Sequence, residues 1–158
     1  MDSQTLHRDT IVVRNLTAAD QEAVIAIDAR ILGRRRDEFF RLKLRQAFTD
    51  TGIAVSLGAE SDGTLVGFLL ARIYFGEFGR VEKIAVMDVM GVHPDFTGRG
   101  VAAALIDQLR TNLLGLGIKS LQTQVNWDNH ALVSFFQRQG FQLAPRLCLD
   151  LDLERTRT

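Results

Sequence analysis

The stretch Val92-His93-Pro94-Asp95-Phe96-Thr97-Gly98-Arg99-Gly100-Val101-Ala102-Ala103 decides the fold. An apolar run ends at its start, a proline-containing turn follows, and two glycines precede a helical pattern. Glycines let a ligand approach the backbone closely, and the first amides of a helix have no partner within it. The helix dipole and Arg99 add positive charge. The stretch therefore predicts a strand, a turn and a helix that together bind a phosphate or pyrophosphate group.

Two well-known phosphate loops do not fit this stretch. A Walker A loop ends in Gly-Lys-Ser/Thr, which Arg99-Gly100-Val101 does not supply. The dinucleotide fingerprint matches literally as Gly98-x-Gly100-x-x-Ala103, but it needs an acidic residue about 20 positions later. Residues 115–127 contain neither Asp nor Glu. The turn also comes late, after three or four strands that look antiparallel, so we exclude both loops.

The segment at the N-terminal end predicts one strand and two helices. A β-branched run at 11–13 predicts the strand. Thr17, with Asp20 three residues later, resembles a capping box and predicts a helix that runs to about Leu32 and ends at Gly33. A second helix follows, with apolar residues at every fourth position: Phe40, Leu44 and Phe48.

The middle of the chain predicts a hairpin and a central strand. Apolar runs at 53–59 and 65–74 flank the turn sequence Ser61-Asp62-Gly63-Thr64, which is typical of a hairpin. The run at 81–92 is apolar on nearly both faces. Such a run predicts a central strand covered by helices.

Beyond the glycine-rich turn, the pattern predicts two further helices and three strands. The first helix has an apolar stripe closed by Gly117: Val101, Leu105, Leu109, Leu113 and Leu116. A strand at 118–125 precedes a helix that Asp128 or Asn129 can cap, with inward-facing Leu132, Phe135 and Phe136. The last strands are expected at 141–143 and 147–153. In the strand at 147–153, leucines alternate with polar residues, which predicts one buried face and one solvent-exposed face.

Composition limits the class of protein. The chain has 158 residues, 46% hydrophobic residues and a formal net charge of +0. We expect one domain over 1–158, with a core at about 11–153 and a polar tail at 1–10, and no nucleic-acid partner. A single cysteine rules out an internal disulfide, and three scattered histidines predict no metal site. Without an apolar run of about 18 residues we expect no membrane span and a cytoplasmic location.

Two motifs resemble one family. Val92-His93-Pro94-Asp95-Phe96-x-Gly98-x-Gly100-x-Ala102 resembles the acetyl-CoA loop of the GCN5-related N-acetyltransferases (the GNAT superfamily), with Thr97 where Arg or Gln is usual. The later segment Asn129–Phe141 resembles that family's Asn, aromatic pair and Gly-Phe. The two elements lie at the family's usual separation, and the resemblance covers about 11–153.

The resemblance implies a fold, a cofactor and a set of binding residues. The implied fold is α/β (α+β), a mixed, mostly antiparallel sheet of six to seven strands with about four helices, splayed at the acetyl-CoA site. A homodimer is common in such proteins. The implied cofactor-binding residues are Met90, Val92, Thr97, Gly98, Arg99, Gly100, Val101, Ala102, Asn129 and Phe136.

The implied reaction is direct attack of an amine on the thioester. An alkyl ammonium has a pKa of about 10.4, so a general base helps. Asp88 is the candidate. It lies four residues before Val92, a position at which many family members carry a Glu that acts as the base, and its neighbours are apolar. It could instead be a structural residue that caps a bulge or orients substrate. Phe136 stands where the family often has a proton-donating Tyr, so solvent or another group would protonate the thiolate.

Two further alternatives stay open at this point. The basic residues between Arg30 and Arg45 form either a solvated helix face or a wall of the acceptor site, where they would favour an acidic acceptor. The chain is either an N-acetyltransferase acting on a small molecule, a peptide N-terminus or a lysine, or a CoA-binding domain without turnover. Thr97 and Phe136 favour the second of these functions, whereas Asp88 and the glycine-rich turn favour the first.

Overall fold

The computed structural model of the protein describes residues 10–49 and 54–155. These residues belong to two compact units, Met1–Gln124 and Val125–Thr158. Within these described residues, the first unit contains the sheet and three α-helices, and the second contains one α-helix.

The sheet of the first unit is mixed and mostly antiparallel, as expected. Its strands follow the chain order, β1-β2-β3-β4-β5. The first three pairings are antiparallel and the β4–β5 pairing is parallel. The strands are β1 (Ile11–Asn15), β2 (Leu57–Ser61), β3 (Thr64–Tyr74), β4 (Ile84–Val92) and β5 (Leu121–Gln122).

The helices begin and end close to the predicted positions. They are α1 (Gln21–Leu32), α2 (Asp37–Thr49), α3 (Val101–Gly115) and α4 (His130–Arg138). The Asp20 carboxylate accepts a hydrogen bond from the Thr17 amide at 2.8 Å, which confirms that part of the capping box. Gly33 ends α1 with a φ of +78°, a value that costs a side chain more than it costs glycine.

The predicted hairpin is confirmed. Asp62 and Gly63 both have positive φ, +50° and +76°, so they form the two-residue turn that matches strand twist. Strand β2 begins at Leu57. The part of its predicted run around Ile53 lies outside the described residues.

Helices cover both faces of the sheet. Helices α1 and α2 bury one face, where the rings of Phe40 and Phe68 meet edge to face with centroids 5.8 Å apart. Helix α3 packs on the other face, close to Gly67 of β3. A Cβ at Gly67 would lie 2.7 Å from Cγ1 of Val101, the first residue of α3. The missing side chain therefore lets the start of α3 sit directly on the sheet.

The predicted final strands are wrong. Residues 141–143 and 147–153 form no strand, and β5 covers two residues instead of the predicted 118–125, so the sheet has five strands. The alternating leucines do not line a buried face. They are exposed: Leu147, Leu149, Leu151 and Leu153 at 87%, 87%, 79% and 87%. Leu143 of the other predicted strand is also exposed, at 93%. Alternation shows that a segment can line a sheet, but a strand also needs a neighbouring strand, and the described residues of the second unit contain none.

Substitution of Gly67 by Ala should destabilise the first unit by about 1–3 kcal/mol, because the added Cβ overlaps Val101 of a tightly packed helix. Denaturant unfolding measures this change. Gly115→Ala is the control, since a Cβ there meets no atom within 4 Å. Equal stability of both variants would contradict the close approach of α3 to β3.

Candidate functional site

The glycine-rich turn connects β4 to α3. A short 3-10 turn covers Pro94–Phe96, and Gly98 and Gly100 follow with φ of +74° and +80°. These left-handed values favour glycine at both positions. The Thr97 hydroxyl donates to the Pro94 carbonyl at 3.0 Å, so this side chain helps to close the turn.

The first amides of α3 are available to a ligand. The first helical hydrogen bond runs from the Ala104 amide to the Gly100 carbonyl at 2.9 Å. The amides of Val101, Ala102 and Ala103 therefore have no partner within the helix. Together with the positive end of the helix dipole, they form a cradle for an anion.

Arg99 adds a full positive charge at this cradle. Its guanidinium carbon lies 5.0 Å from the centroid of the Phe96 ring, within the range of a cation–π contact. The residue is exposed, as are both neighbouring glycines. The turn can therefore present backbone amides and one arginine to a phosphate group at the protein surface.

Strand β4 has one edge that β5 leaves open. Its contact with β5 is limited to Ala85 and Val86. One residue further, the Met87 carbonyl accepts a hydrogen bond from the Thr123 hydroxyl at 2.9 Å. Among the described residues, no strand borders this edge beyond Val86, so the sheet is splayed there.

The open edge presents the backbone of Met90 and Val92. The His93 amide donates to the Val66 carbonyl at 2.8 Å, so it points toward β3. Backbone groups of successive residues in a strand point to opposite edges. Val92 and Met90 therefore direct their amides and carbonyls away from β3, where an extended ligand could pair with them.

Asp88 is the extra residue of a bulge in β4. Leu70 of β3 is opposite Val89 and Ala71 is opposite Met87, which leaves Asp88 without an opposing residue. The residue as a whole is exposed, whereas its side chain is only 18% exposed. Bulges of this kind redirect a side chain, and this one places a carboxylate beside the open edge.

The Asp88 carboxylate is held between two cations. Arg72 Nε donates to Oδ2 at 2.9 Å, and Lys43 Nζ lies 3.6 Å from the same oxygen. The Arg72 guanidinium also donates to the Tyr74 hydroxyl and lies over its ring at 4.9 Å. The pKa of Tyr74 is raised, first by burial and then by the charge of Asp88. The cluster links α2, β3 and β4 through one carboxylate.

Sequence reasoning did not find the partners of Asp88. Arg72 interrupts the apolar run of β3, and a charge in a covered strand usually has an opposite charge nearby. That signal was present in the sequence. The identity of the partner was not, because it depends on the pairing register and on the bulge.

The second unit holds the other two predicted site residues. The Asn129 side chain caps α4 by accepting from the Leu132 amide at 3.2 Å, which confirms the capping prediction. Phe136 is 7% exposed and meets Phe135 and Phe141 edge to face, so it is a buried aromatic residue.

His93 and Cys148 belong to no further cluster of reactive side chains among the residues that the structure describes. His93 Nδ1 accepts from the Asp95 amide at 3.1 Å and belongs to the turn. Cys148 is a free, exposed thiol. Within 10–49 and 54–155 there is no group of three His, Cys, Asp or Glu able to hold a metal, and no helix is long and apolar enough to cross a membrane.

Comparison with known proteins identifies one family. A family model described as "Acetyltransferase (GNAT) family" matches residues 21–141 of the chain. The matched range starts at the first residue of α1 and includes β4, the glycine-rich turn and α4.

Solved structures share the fold at low sequence identity. An aminoglycoside N-acetyltransferase AAC(6')-Iy in complex with CoA matches with a TM-score of 0.75 at 19% identity, covering 91% of this chain and 95% of that one. A ribosomal-protein-alanine N-acetyltransferase from Brucella melitensis biovar Abortus 2308 matches at 0.71 and 21%, covering 91% and 100%. A transcriptional regulator from Bacillus halodurans C-125 matches at 0.75 and 17%, also covering 91% and 100%.

Tyr74 is the only tyrosine of the sequence, so its titration can be followed by the ultraviolet absorbance of tyrosinate. We expect a midpoint above the ordinary value of about 10. The folded state holds this proton more tightly, so the associated stability is complete below the unfolded pKa and is lost as pH rises through the folded pKa.

Asp88→Asn should lower that midpoint, because it removes a negative charge that opposes ionisation of the phenol. Asp95→Asn is the matched control, since that carboxylate is 70% exposed in the turn. A midpoint that responds equally to both variants would contradict the cluster.

Proposed function

The chain belongs to the acetyltransferase (GNAT) family, and we propose that it transfers the acetyl group of acetyl-CoA to a primary amine by direct attack. The observation that carries this proposal is the anion cradle at the start of α3 beside the open edge of β4. An anion-binding turn next to an unpaired strand edge suits a ligand with a pyrophosphate and an amide-containing arm.

The residues present fit this cofactor. We propose that the backbone from Thr97 to Ala102 holds the pyrophosphate, with Arg99 as an added charge, and that Met90 and Val92 pair with the pantetheine amides. The left-handed glycines and the orientation of the two β4 residues support this assignment. Bound acetyl-CoA would supply the acetyl thioester.

Asn129 and Phe136 are assigned to the cofactor by the family pattern alone. In α4, the Asn129 side chain is engaged as a helix cap and Phe136 is buried among aromatic rings. Phe136 carries no proton to donate. We therefore propose that solvent protonates the leaving thiolate, which is acceptable because a thiol has a pKa of about 8.5.

We propose that Asp88 acts as the general base, taking a proton from the acceptor ammonium directly or through water. Its position in the bulge beside the open edge supports this role. The ion pairs with Arg72 and Lys43 fix the direction of the carboxylate. A residue can hold the bulge together and accept a proton, so these two roles are compatible.

The extent of the domain and its assembly are also proposals. We propose that both units form one acetyltransferase domain, because the family match at 21–141 crosses the boundary after Gln124. The exposed leucines between 143 and 153 favour a homodimer, in which a second copy covers them; the molar mass in solution would test this. A cytoplasmic location stays a prediction.

Titration calorimetry with acetyl-CoA tests the cofactor site. We expect binding by the wild-type protein and, for Gly100→Ala, an affinity weaker by about tenfold, because the left-handed φ of +80° no longer suits the residue that precedes the amides. Gly117→Ala is the matched control at the other end of α3, with a φ of +76° and equally open surroundings.

Each outcome of this titration has a meaning. Absence of binding would remove the proposed function. Binding without thiol release across a broad set of amines would favour a CoA-binding domain over an enzyme. Equal weakening by both glycine substitutions would show a loss of stability and no role for the turn.

The pH dependence of kcat/KM tests Asp88. We expect Asp88→Asn to lower the rate and to flatten the acidic limb, because the group that must be ionised is gone. Arg72→Gln should lower the rate but keep the limb, since it removes the ion pair and leaves the carboxylate. An acidic limb that survives in Asp88→Asn would exclude Asp88 as the base.

A further inference from the structure

Two side-chain hydroxyl groups hold the sheet next to the bulge of β4. Thr123 lies one residue beyond β5, and its hydroxyl donates to the Met87 carbonyl at 2.9 Å. Ser56 lies one residue before β2. Its hydroxyl accepts from the Ala71 amide at 3.1 Å and donates to the Ala71 carbonyl at 3.3 Å. Ala71 of β3 and Met87 of β4 are opposite each other, so the two hydroxyls hold the two sides of one pair.

This pair is held from outside. Ala71 directs its amide and carbonyl to Ser56, on the side of β2, and Met87 directs its carbonyl to Thr123, on the side of β5. Opposed residues of an antiparallel pair whose backbone groups point apart in this way exchange no hydrogen bond with each other. The position of Met87 therefore depends on the Thr123 side chain more than on the strand opposite.

The ion pair of the candidate site follows directly after these two residues. Arg72 follows Ala71, Asp88 follows Met87, and Arg72 Nε donates to the Asp88 carboxylate at 2.9 Å. A peptide bond is planar, so the direction of the Met87 carbonyl sets the plane that contains the Asp88 amide and Cα. The Thr123 hydroxyl thus acts on the backbone of Asp88 through a single peptide plane.

Thr123 also stands where β4 and β5 part. The pairing of the two strands ends with Val86 opposite Gln122, and the half-buried Thr123 side chain reaches Met87 one step further. A backbone amide bonded to the Met87 carbonyl would continue the pairing toward Asp88. A side-chain hydroxyl in its place ends the pairing at a fixed residue, immediately before the bulge.

We propose that Thr123 is a positioning residue for acetyl transfer, because its hydroxyl fixes the point at which β4 and β5 part and holds Asp88 at the open edge. This inference rests on the proposed function and adds a residue to its machinery. The Thr123 hydroxyl donates to the Met87 carbonyl, so Thr123 acts through Asp88 and not on the reacting atoms. A misplacement of about 1 Å in a reacting group can cost about a hundredfold in rate.

Three substitutions separate the hydroxyl from the rest of the side chain. Thr123→Val keeps the shape and removes the donor, whereas Thr123→Ser keeps the donor. Thr111→Val is the matched control, because the Thr111 hydroxyl also donates to a backbone carbonyl, that of Asp107 at 3.1 Å, at an exposed position of α3. The measurements are kcat for thiol release with the best amine of a broad set, and the Kd of acetyl-CoA by calorimetry.

We expect Thr123→Val to lower kcat by about tenfold and to leave the Kd of acetyl-CoA within about twofold of wild type, because the glycine-rich turn and the edge at Met90 and Val92 are unchanged. Thr123→Ser and Thr111→Val should stay close to wild type in both values. A wild-type kcat in Thr123→Val, equal losses of kcat in Thr123→Val and either other variant, or a loss confined to acetyl-CoA affinity would overturn the proposal.

The titration of Tyr74 tests the same point without turnover. The pKa of Tyr74 is raised first by burial and then by the charge of Asp88. We expect Thr123→Val to lower the tyrosinate midpoint toward that of Asp88→Asn, because a carboxylate held less firmly opposes ionisation of the phenol less. Thr123→Ser and Thr111→Val should keep the wild-type midpoint. Thr123→Ala takes the place of Thr123→Val if the latter does not fold.

This titration separates the failure of the inference from the failure of the proposed function. A wild-type protein that releases no thiol with any amine is no acetyltransferase for those amines, and the midpoint still shows whether Thr123 holds Asp88. A lowered midpoint in Thr123→Val alone supports that hold, and an unchanged midpoint overturns it.

Discussion

The parting of β4 and β5 is the constraint on which the rest of the structure depends. Buried backbone amides and carbonyls need hydrogen-bond partners, so a strand in the middle of a sheet is rarely left open on one edge. Here β4 is paired along its length with β3 but meets β5 at only two residues. The unpaired part of that edge leads directly into the glycine-rich turn, and Gly67 lets the start of α3 sit against the same part of the sheet. The open edge and the anion cradle are thus two consequences of one arrangement.

The carboxylate in the bulge connects this edge to the charges around it. An exposed ion pair contributes about 0–1 kcal/mol, but the side chains of Asp88 and Arg72 are only 18% and 14% exposed, and a second cation shares the same oxygen. Loss of the carboxylate would remove the negative charge that both Arg72 and Lys43 contact. The bulge that places Asp88, the two cations that contact its carboxylate and its proposed role as the base therefore depend on one another.

The sequence was enough to predict the local structure, such as turns and helix ends. It predicted much less of the features that depend on how the strands pair. The ends of α1, the Asp62-Gly63 turn and the start of α3 were predicted because capping residues and glycines act within a few positions of where they stand. The pairing of Arg72 with Asp88 was not predicted, because those residues are 16 positions apart and meet only through the register and the bulge. The strand predicted at 147–153 was wrong for the same reason. Its alternating leucines show that the segment could form a strand, but they do not show that a partner strand is present.

The order of the strands has a consequence for how the molecule assembles. Strands β2, β3 and β4 pair antiparallel in chain order, and short connections such as the Asp62-Gly63 turn need little loop-closure entropy. The β4–β5 pairing is parallel and must wait for the crossover through α3. Contacts between distant parts of a chain form slowly. A pairing of only two residues also contributes little stability once it has formed. The two-residue pairing beside the edge assigned to the cofactor is the shortest of the sheet, so we expect it to open first in local unfolding, and a ligand bound along that edge would act as the missing strand.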